Sequence, residues 1–81
     1  MEIRFSGRAR RDFADLSPEL KGQVRKQFAL LLNDLRHPSL QARKYSGKED
    51  IWQGRVNRDY RFYFQIIGDM YYIVAIIPHP K

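Results

Sequence analysis

The sequence predicts an α+β domain with the element order β-α-α-β-β-β, on three observations. Apolar residues recur at helical spacing between positions 7 and 36, whereas positions 51–77 are dense in β-branched and aromatic side chains that alternate with polar ones. Gly68 and Asp69 then divide the last of these runs at the spacing of a two-residue hairpin turn. With 81 residues the chain has room for one domain, 1–81, built on a single core.

Each element carries its own signal. Residues 2–5 alternate, with Ile3 and Phe5 on one side, and read as a short strand. Ser6 can cap a helix starting near Gly7 that presents Ala9, Phe13 and Leu16 on one face. Ser17, Pro18 and Glu19 supply a cap, a first-turn proline and a dipole-compatible acid for a second helix, whose Leu20, Val24, Phe28, Leu31, Leu32 and Leu35 carry it to about Arg36. Pro38 cannot continue it, and HPSLQARKYSGKED, residues 37–50, is expected to form a long polar, basic loop of the kind that is functional or disordered in small domains. Strands are expected over 51–57, 60–67 and 70–77, the last two as antiparallel neighbours.

Charge and composition narrow the chemistry. Fifteen basic against nine acidic side chains give a net charge of +6, which points to a polyanionic partner. The absence of cysteine excludes a disulfide framework, a thiolate metal site and a cysteine nucleophile, and two histidines are a poor basis for zinc, so neither metal nor cofactor is expected. No apolar run is long enough to span a bilayer, and MEIRFS lacks the features of a signal peptide, so a soluble cytoplasmic protein without membrane contact is expected.

Strand alternation locates the positive charge. Trp52, Gly54 and Val56, with Tyr60, Phe62, Phe64 and Ile66, share the face that the helices must cover. Gln53, Arg55, Asn57, Arg61, Tyr63 and Gln65 then line the uncovered face, with Arg58 at the intervening turn. Arginine forks suit bidentate phosphate contacts and a neighbouring tyrosine can stack a base, so this face reads as a surface for single-stranded RNA or phosphate. The alternative is that Arg55 and Arg61 are solvent-facing spacers paired with Asp59 or Glu49. Arg36, Arg43, Lys44, Lys48, Arg55, Arg58 and Arg61 could form one basic strip, while Arg8, Arg10 and Arg11 make a second cluster that is either a solvated helix face or a backbone contact.

The segments DFADLSPEL, HPSL, YSGKEDIWQGRVNRDYRFYFQI and IIPHPK, in this order, resemble the RelE/ParE toxin superfamily over nearly the whole chain. The resemblance implies a RelE-like, microbial-RNase-like fold: two N-terminal helices packed on one face of a twisted, mainly antiparallel four-stranded sheet. It also implies the toxin of a toxin-antitoxin pair that inhibits translation as a metal-free, ribosome-dependent mRNA endonuclease. A ParE-type inhibitor of DNA gyrase, or a degenerate module that binds antitoxin or nucleic acid without catalysis, are the other readings left open.

By the same resemblance Arg61 stabilises charge at the scissile phosphate, Arg55 matches a basic residue of the preceding strand, and His79 lies where several relatives place a catalytic histidine or tyrosine. Gln53 stands where some relatives carry another lysine, and many relatives continue with an arginine, a tyrosine or a short helix where this sequence ends at Lys81. Histidine, with an unperturbed pKa near 6.5, suits either proton transfer. Tyr63 and the tyrosines Tyr71 and Tyr72, both expected to be exposed, are candidates for the second proton-transfer group. Arg43, Lys44, Lys48, Gln53, Arg58 and Lys81 are expected to contact RNA or the ribosome. The implied protein partner is an acidic cognate antitoxin, anchored in part on Tyr71 and Tyr72, the toxin being a monomer alone or part of a heteromeric complex with it.

Overall fold

The structure, a computed structural model, describes residues 1–79. Its elements are β1 (Glu2–Phe5), α1 (Gly7–Ala14), α2 (Pro18–Asn33), a 3-10 turn (Pro38–Leu40), β2 (Arg43–Ser46), β3 (Ile51–Arg55), β4 (Tyr60–Ile67) and β5 (Met70–Pro78). The strands form one sheet in the order β1-β5-β4-β3-β2, parallel between β1 and β5 and antiparallel elsewhere.

The local signals act as their chemistry requires. Ser6 Oγ accepts from Ala9 N at 3.0 Å and Ser17 Oγ accepts from Leu20 N at 3.2 Å, so both helices begin on side-chain caps. Gly68, at φ +59°, opens a two-residue turn in which Asp69 is not left-handed, the sign pattern of a type II′ hairpin.

Three expectations change. The sheet has five strands rather than four, because Arg43–Ser46, within the segment expected to be a loop, pairs with β3 across the four-residue turn 47–50. The rest of that segment is anchored by Leu40, which is fully buried. The second helix stops at Asn33, short of Arg36: Asp34 leaves helical geometry, and its Oδ1 accepts from Arg36 N at 3.0 Å, a local turn that competes with another helical step. Tyr71 is not exposed but packs edge-on against Phe64 in the core, on the opposite face of β5 from half-buried Tyr72.

Both helices cover one sheet face. Phe13, Phe5, Phe28, Phe62, Phe64 and Trp52 form a continuous series of edge and stacked contacts, with ring centroids 5.0–6.1 Å apart. Two polar side chains lock the layers. Gln27, on the buried face of α2, donates through Nε2 to Ser39 O at 3.2 Å and Arg55 O at 2.8 Å, tying helix, turn and β3 together. Asp12 Oδ2 accepts from Ile76 N at 3.0 Å and Ser6 Oγ donates to Val74 O at 2.8 Å, so α1 and its cap satisfy the edge of β5 beyond the end of β1.

The β3–β4 register depends on Gly54. It lies opposite Phe62, whose ring crosses it so closely that a Cβ there would sit 2.6 Å from Cε1 and 2.7 Å from Cε2. Gly54→Ala is expected to destabilise the fold by about 1–3 kcal/mol through overpacking. Gly22→Ala, on the exposed face of α2 with nothing within 4 Å, is expected to stabilise it by about 0.5–1 kcal/mol. Urea unfolding of the two variants beside the wild type measures both signs.

Candidate functional site

The face opposite the helices carries the predicted residues, and the register arranges them. Arg55 faces Arg61 directly, Gln53 faces Tyr63, and on the outer flank Arg43 faces Gln53. Around them lies a cavity of about 130 Å³ lined by Gln41, Arg43, Gln53, Gly54, Arg55, Arg61 and His79. Three guanidinium groups and an imidazole converge there, and among the described residues no carboxylate lines it.

The turn after β3 builds the site. Asn57 Oδ1 accepts from Asp59 N at 2.8 Å and Tyr60 N at 2.9 Å, fixing the turn from within. Arg61 Nη1 donates to the carbonyls of Asn57 at 2.7 Å, Tyr60 at 3.0 Å and Arg58 at 3.3 Å. One corner of the guanidinium is thereby pinned to the turn. His79 N donates to Asp59 O at 2.7 Å, so the same turn holds the end of the last strand beside Arg61. His79 Nδ1 is buried and has no hydrogen-bond partner among the described residues, an atom suited to a polar group entering the cavity.

Electrostatics match this geometry. Burial, then the facing Arg55 guanidinium, push Arg61 below the ordinary arginine value, with Arg43 acting in the same direction and Tyr63 and Asp59 opposing it. Arginine remains charged, so the site carries positive charge held at an energetic cost. Burial and neighbouring Tyr45 push the Tyr63 hydroxyl up, opposed by Arg61 and Arg43, so Tyr63 is a neutral donor near pH 7 rather than a phenolate base. Among the described residues neither Arg55 nor Arg61 makes an ion pair, with Asp59, Glu49 or any other acid. The spacer reading therefore loses its partners.

The basic strip is not continuous. Lys44 faces Trp52 on the other side of the sheet from Arg43 and pairs with Asp50 at 2.9 Å. Lys48 lies in the turn at the opposite end of the β2–β3 hairpin from the cavity. Arg58 stays exposed in the turn beside Arg61, and Lys81 lies outside the described residues. Gln53 is on the expected face, but it is only 5% exposed, a wall of the cavity rather than a solvent-facing contact. Tyr63 does not line the cavity; it lines an adjoining groove on the same face.

Two residues of this region escaped sequence reasoning. Gln41 lines the cavity in a left-handed conformation, φ 45° and ψ 41°, that a non-glycine residue seldom adopts. Tyr45 packs edge-on against Tyr63, centroids 5.1 Å apart. The signal for Tyr45 was the short run RKYS, separated from IWQGR by a glycine-containing turn at hairpin spacing. Among the described residues no cluster of three His, Cys, Asp or Glu side chains could hold a metal ion, and no helix is long and apolar enough to cross a membrane.

No family model and no curated protein sequence matches the chain. Solved structures do. The YoeB/ParE toxin from Agrobacterium tumefaciens is similar with a TM-score of 0.82 over 99% of this chain and 100% of that one, at 10% identity. The chain has the RelE-like toxin fold. The YoeB dimer from Staphylococcus aureus gives a TM-score of 0.81 at 14% identity, covering 99% of this chain and 98% of its own. The isolated E. coli RelE toxin gives 0.77 at 19% identity, over 98% and 84% respectively. Other structures with the RelE-like fold were solved as toxin-antitoxin complexes, among them E. coli RelBE and the S. aureus YoeB-YefM heterotetramer. The RelE-like α+β architecture expected from the sequence is therefore the architecture found, with one more strand.

The facing arginines have a measurable consequence. Like charges directly across a ladder destabilise a sheet, so Arg55→Thr is expected to raise stability by about 0.2–1 kcal/mol. Thermal denaturation at low salt should show the gain, and 1 M salt should shrink it by screening. Inorganic phosphate should raise the wild-type Tm more than that of the variant.

Proposed function

We propose that this chain is the toxin of a toxin-antitoxin pair and cleaves messenger RNA on the ribosome without a metal. The observation that carries the reading is the convergence of Arg43, Arg55, Arg61 and His79 on one small cavity, with no carboxylate among its described lining residues. The likeness to RelE and YoeB toxin structures gives the fold on which such a site is set.

RNA cleavage by the neighbouring 2′-hydroxyl needs three things. A base takes the hydroxyl proton, cationic donors stabilise the added charge on the phosphorane, and an acid protonates the departing 5′-oxygen. The 2′-oxygen forms a bond to phosphorus as the 5′-oxygen leaves, giving a 2′,3′-cyclic phosphate and a 5′-hydroxyl. Arg61, pinned at Nη1, offers its remaining N–H groups to the non-bridging oxygens without reorganising, and Arg55 and Arg43 add charge from the facing strands. His79 performs one proton transfer. The raised pKa of Tyr63 suits it to donate a hydrogen bond or proton and makes it a poor base. The partly buried setting strengthens each of these interactions relative to water.

Ribosome-dependent cleavage mapped at nucleotide resolution tests this reading. Wild-type protein is expected to give codon-phased cuts, and Arg61→Ala to reduce the rate by roughly 10²–10³-fold, the usual loss for one preorganised donor. His79→Ala should slow cleavage while leaving RNA binding close to the wild type. Intact messages with gyrase-linked DNA breaks would move the protein to the ParE type, and neither effect would mark a non-catalytic module.

A harmful basic face requires a cover. The partner fitting this charge is an acidic antitoxin whose carboxylates and apolar side chains lie over the chain. Because Tyr71 is part of the core, it cannot be an anchor for that partner. Co-expression with the adjacent gene product is expected to yield a co-purifying complex that falls apart at high salt more readily than at low salt.

A further inference from the structure

Beside the arginine cavity lies a groove of about 350 Å³ with a different chemistry, and we propose that it binds the nucleobase flanking the phosphate, stacked on Tyr45. The inference rests on the RNA reading of the preceding subsection and assigns the part of the substrate that the arginines do not hold.

The groove crosses the uncovered sheet face from β2 to β5. Tyr45 and Tyr63 form one side, and Ile51, Val74, Ala75 and Ile77 supply an apolar floor. Ser46, Glu49 and Arg8 complete the lining, so the groove carries one acid and one base around its apolar floor, with no net charge to hold a second phosphate. The cavity next to it differs, with three arginines and, among the described residues, no acid. A nucleotide has the same division, an anionic phosphate and a flat, weakly polar base.

Spacing agrees with one nucleotide. Arg61 and Tyr63 are two residues apart on β4 and share a face, a separation of roughly 7 Å at about 3.4 Å per residue. Tyr45 stands likewise two residues beyond Arg43 on β2. Each strand therefore passes from phosphate ligand to aromatic ring in one step.

The sheet is deformed where the groove lies. Lys44 faces Trp52 and Ser46 faces Ile51, so Tyr45 is the extra residue of a bulge and has no cross-strand partner. Tyr63 faces Ala75 while Phe64 faces Ile73, so Val74 is the extra residue of a second bulge. Bulges bend a strand and re-aim its side chains. Both extra residues line this groove. Tyr45 is left 63% exposed, yet its ring is held by the edge-on contact with Tyr63, interplanar angle 70°. A large exposed ring fixed from beneath is a stacking platform, and bases stack on such rings with little regard to sequence.

The test uses the full chain and two short single-stranded RNAs that differ only in whether one position carries a base or is abasic, with binding followed by fluorescence anisotropy at low salt. Tyr45→Ala is expected to weaken binding of the complete RNA roughly tenfold or more, the range of one lost stacking contact, and to leave the abasic RNA unchanged. Tyr45→Phe should retain wild-type affinity, because stacking needs no hydroxyl. Arg61→Ala should weaken both RNAs equally, which reports on the phosphate site separately. Equal loss for both RNAs with Tyr45→Ala, or a Tyr45→Phe variant as weak as Tyr45→Ala, would overturn the base assignment while sparing the arginine site. A Tyr45→Ala variant that binds both RNAs normally but loosens the complex with the adjacent gene product would assign the ring to a protein partner instead. Wild-type protein that binds neither RNA would overturn the platform outright, while cleavage on ribosomes would still stand or fall by the Arg61→Ala comparison.

Discussion

The close passage of Phe62 over Gly54 is the contact on which the site depends. Phe62 is fully buried, stacks with Phe64 and meets Phe28 of the long helix edge-on, so the core holds its ring in place. Because no Cβ stands in its way, β3 and β4 can pair with Gly54 opposite Phe62. That register puts Arg55 opposite Arg61 and Gln53 opposite Tyr63. A slip of one residue would send every one of these side chains to the other face, arginines into the aromatic core and phenylalanines into water. The hydrophobic requirement on one side of the ribbon thus specifies the ionic arrangement on the other. Gln27 reinforces the link, since its amide reaches through the layer to the carbonyl of Arg55 and fixes the strand at the residue that carries the charge.

What the core specifies, electrostatics resists. Two guanidinium groups across a ladder, with a third from β2 lining the same cavity, repel one another, and the described acids form no ion pair with the first two, although Asp59 partly offsets the charge on Arg61. Such an arrangement persists because aromatic packing over the other face outweighs it: burying one phenylalanine contributes about 1.5–3 kcal/mol, against about 0.2–1 kcal/mol for a like-charge pair. An anion entering the cavity would remove the repulsion and satisfy His79 Nδ1 together. The free protein is therefore less stable than its sheet could be, in a form that only a bound phosphate or a carboxylate-bearing partner relieves. Any two anionic partners of this face would compete for the same imbalance.

Most of this architecture was legible in the sequence because it follows from periodicity. Ser6 and Ser17 as caps, the Gly68 turn, and the division of β3 and β4 into an aromatic and an arginine face each rest on a short-range rule. The errors arose where longer-range contacts decide. Arg43–Ser46 is short and polar, so only its hairpin spacing from IWQGR marks it, and it becomes a strand by pairing with β3. Tyr71 was mistaken for a surface residue because two adjacent tyrosines leave the facing of the strand undetermined, and only Phe64 opposite its ring resolves it. Gln53 followed the alternation correctly, but alternation gives a face and not a depth; the walls that bury it, Gln41 and Arg43, come from the segment expected to be a loop. The arginines of the site were found from composition and spacing, whereas their separation from Lys44 and Lys48 is a product of sheet geometry.

The same geometry explains why the uncovered face is not simply flat and basic. An antiparallel sheet with one face in water needs only polar side chains there, and regular pairing would serve. Instead the pairing breaks once in β2 and once in β5, at Tyr45 and Val74. The break at Val74 also serves the core, because it changes the phase of β5 so that Ile76 follows Tyr71 and Ile73 onto the helix side; the break at Tyr45 lies away from the helices. Nor do the breaks lie at random: the bulged strands border the β3–β4 pair on its two sides, and the side chains they displace meet in the groove beside Tyr63. The cavity next to it needs no bulge, because facing arginines on regular strands already converge. A regular stretch of ladder therefore gathers the charge, and an irregular stretch shapes a trough with an apolar floor and balanced charges at its rim, so that one sheet face presents two neighbouring depressions of different chemistry.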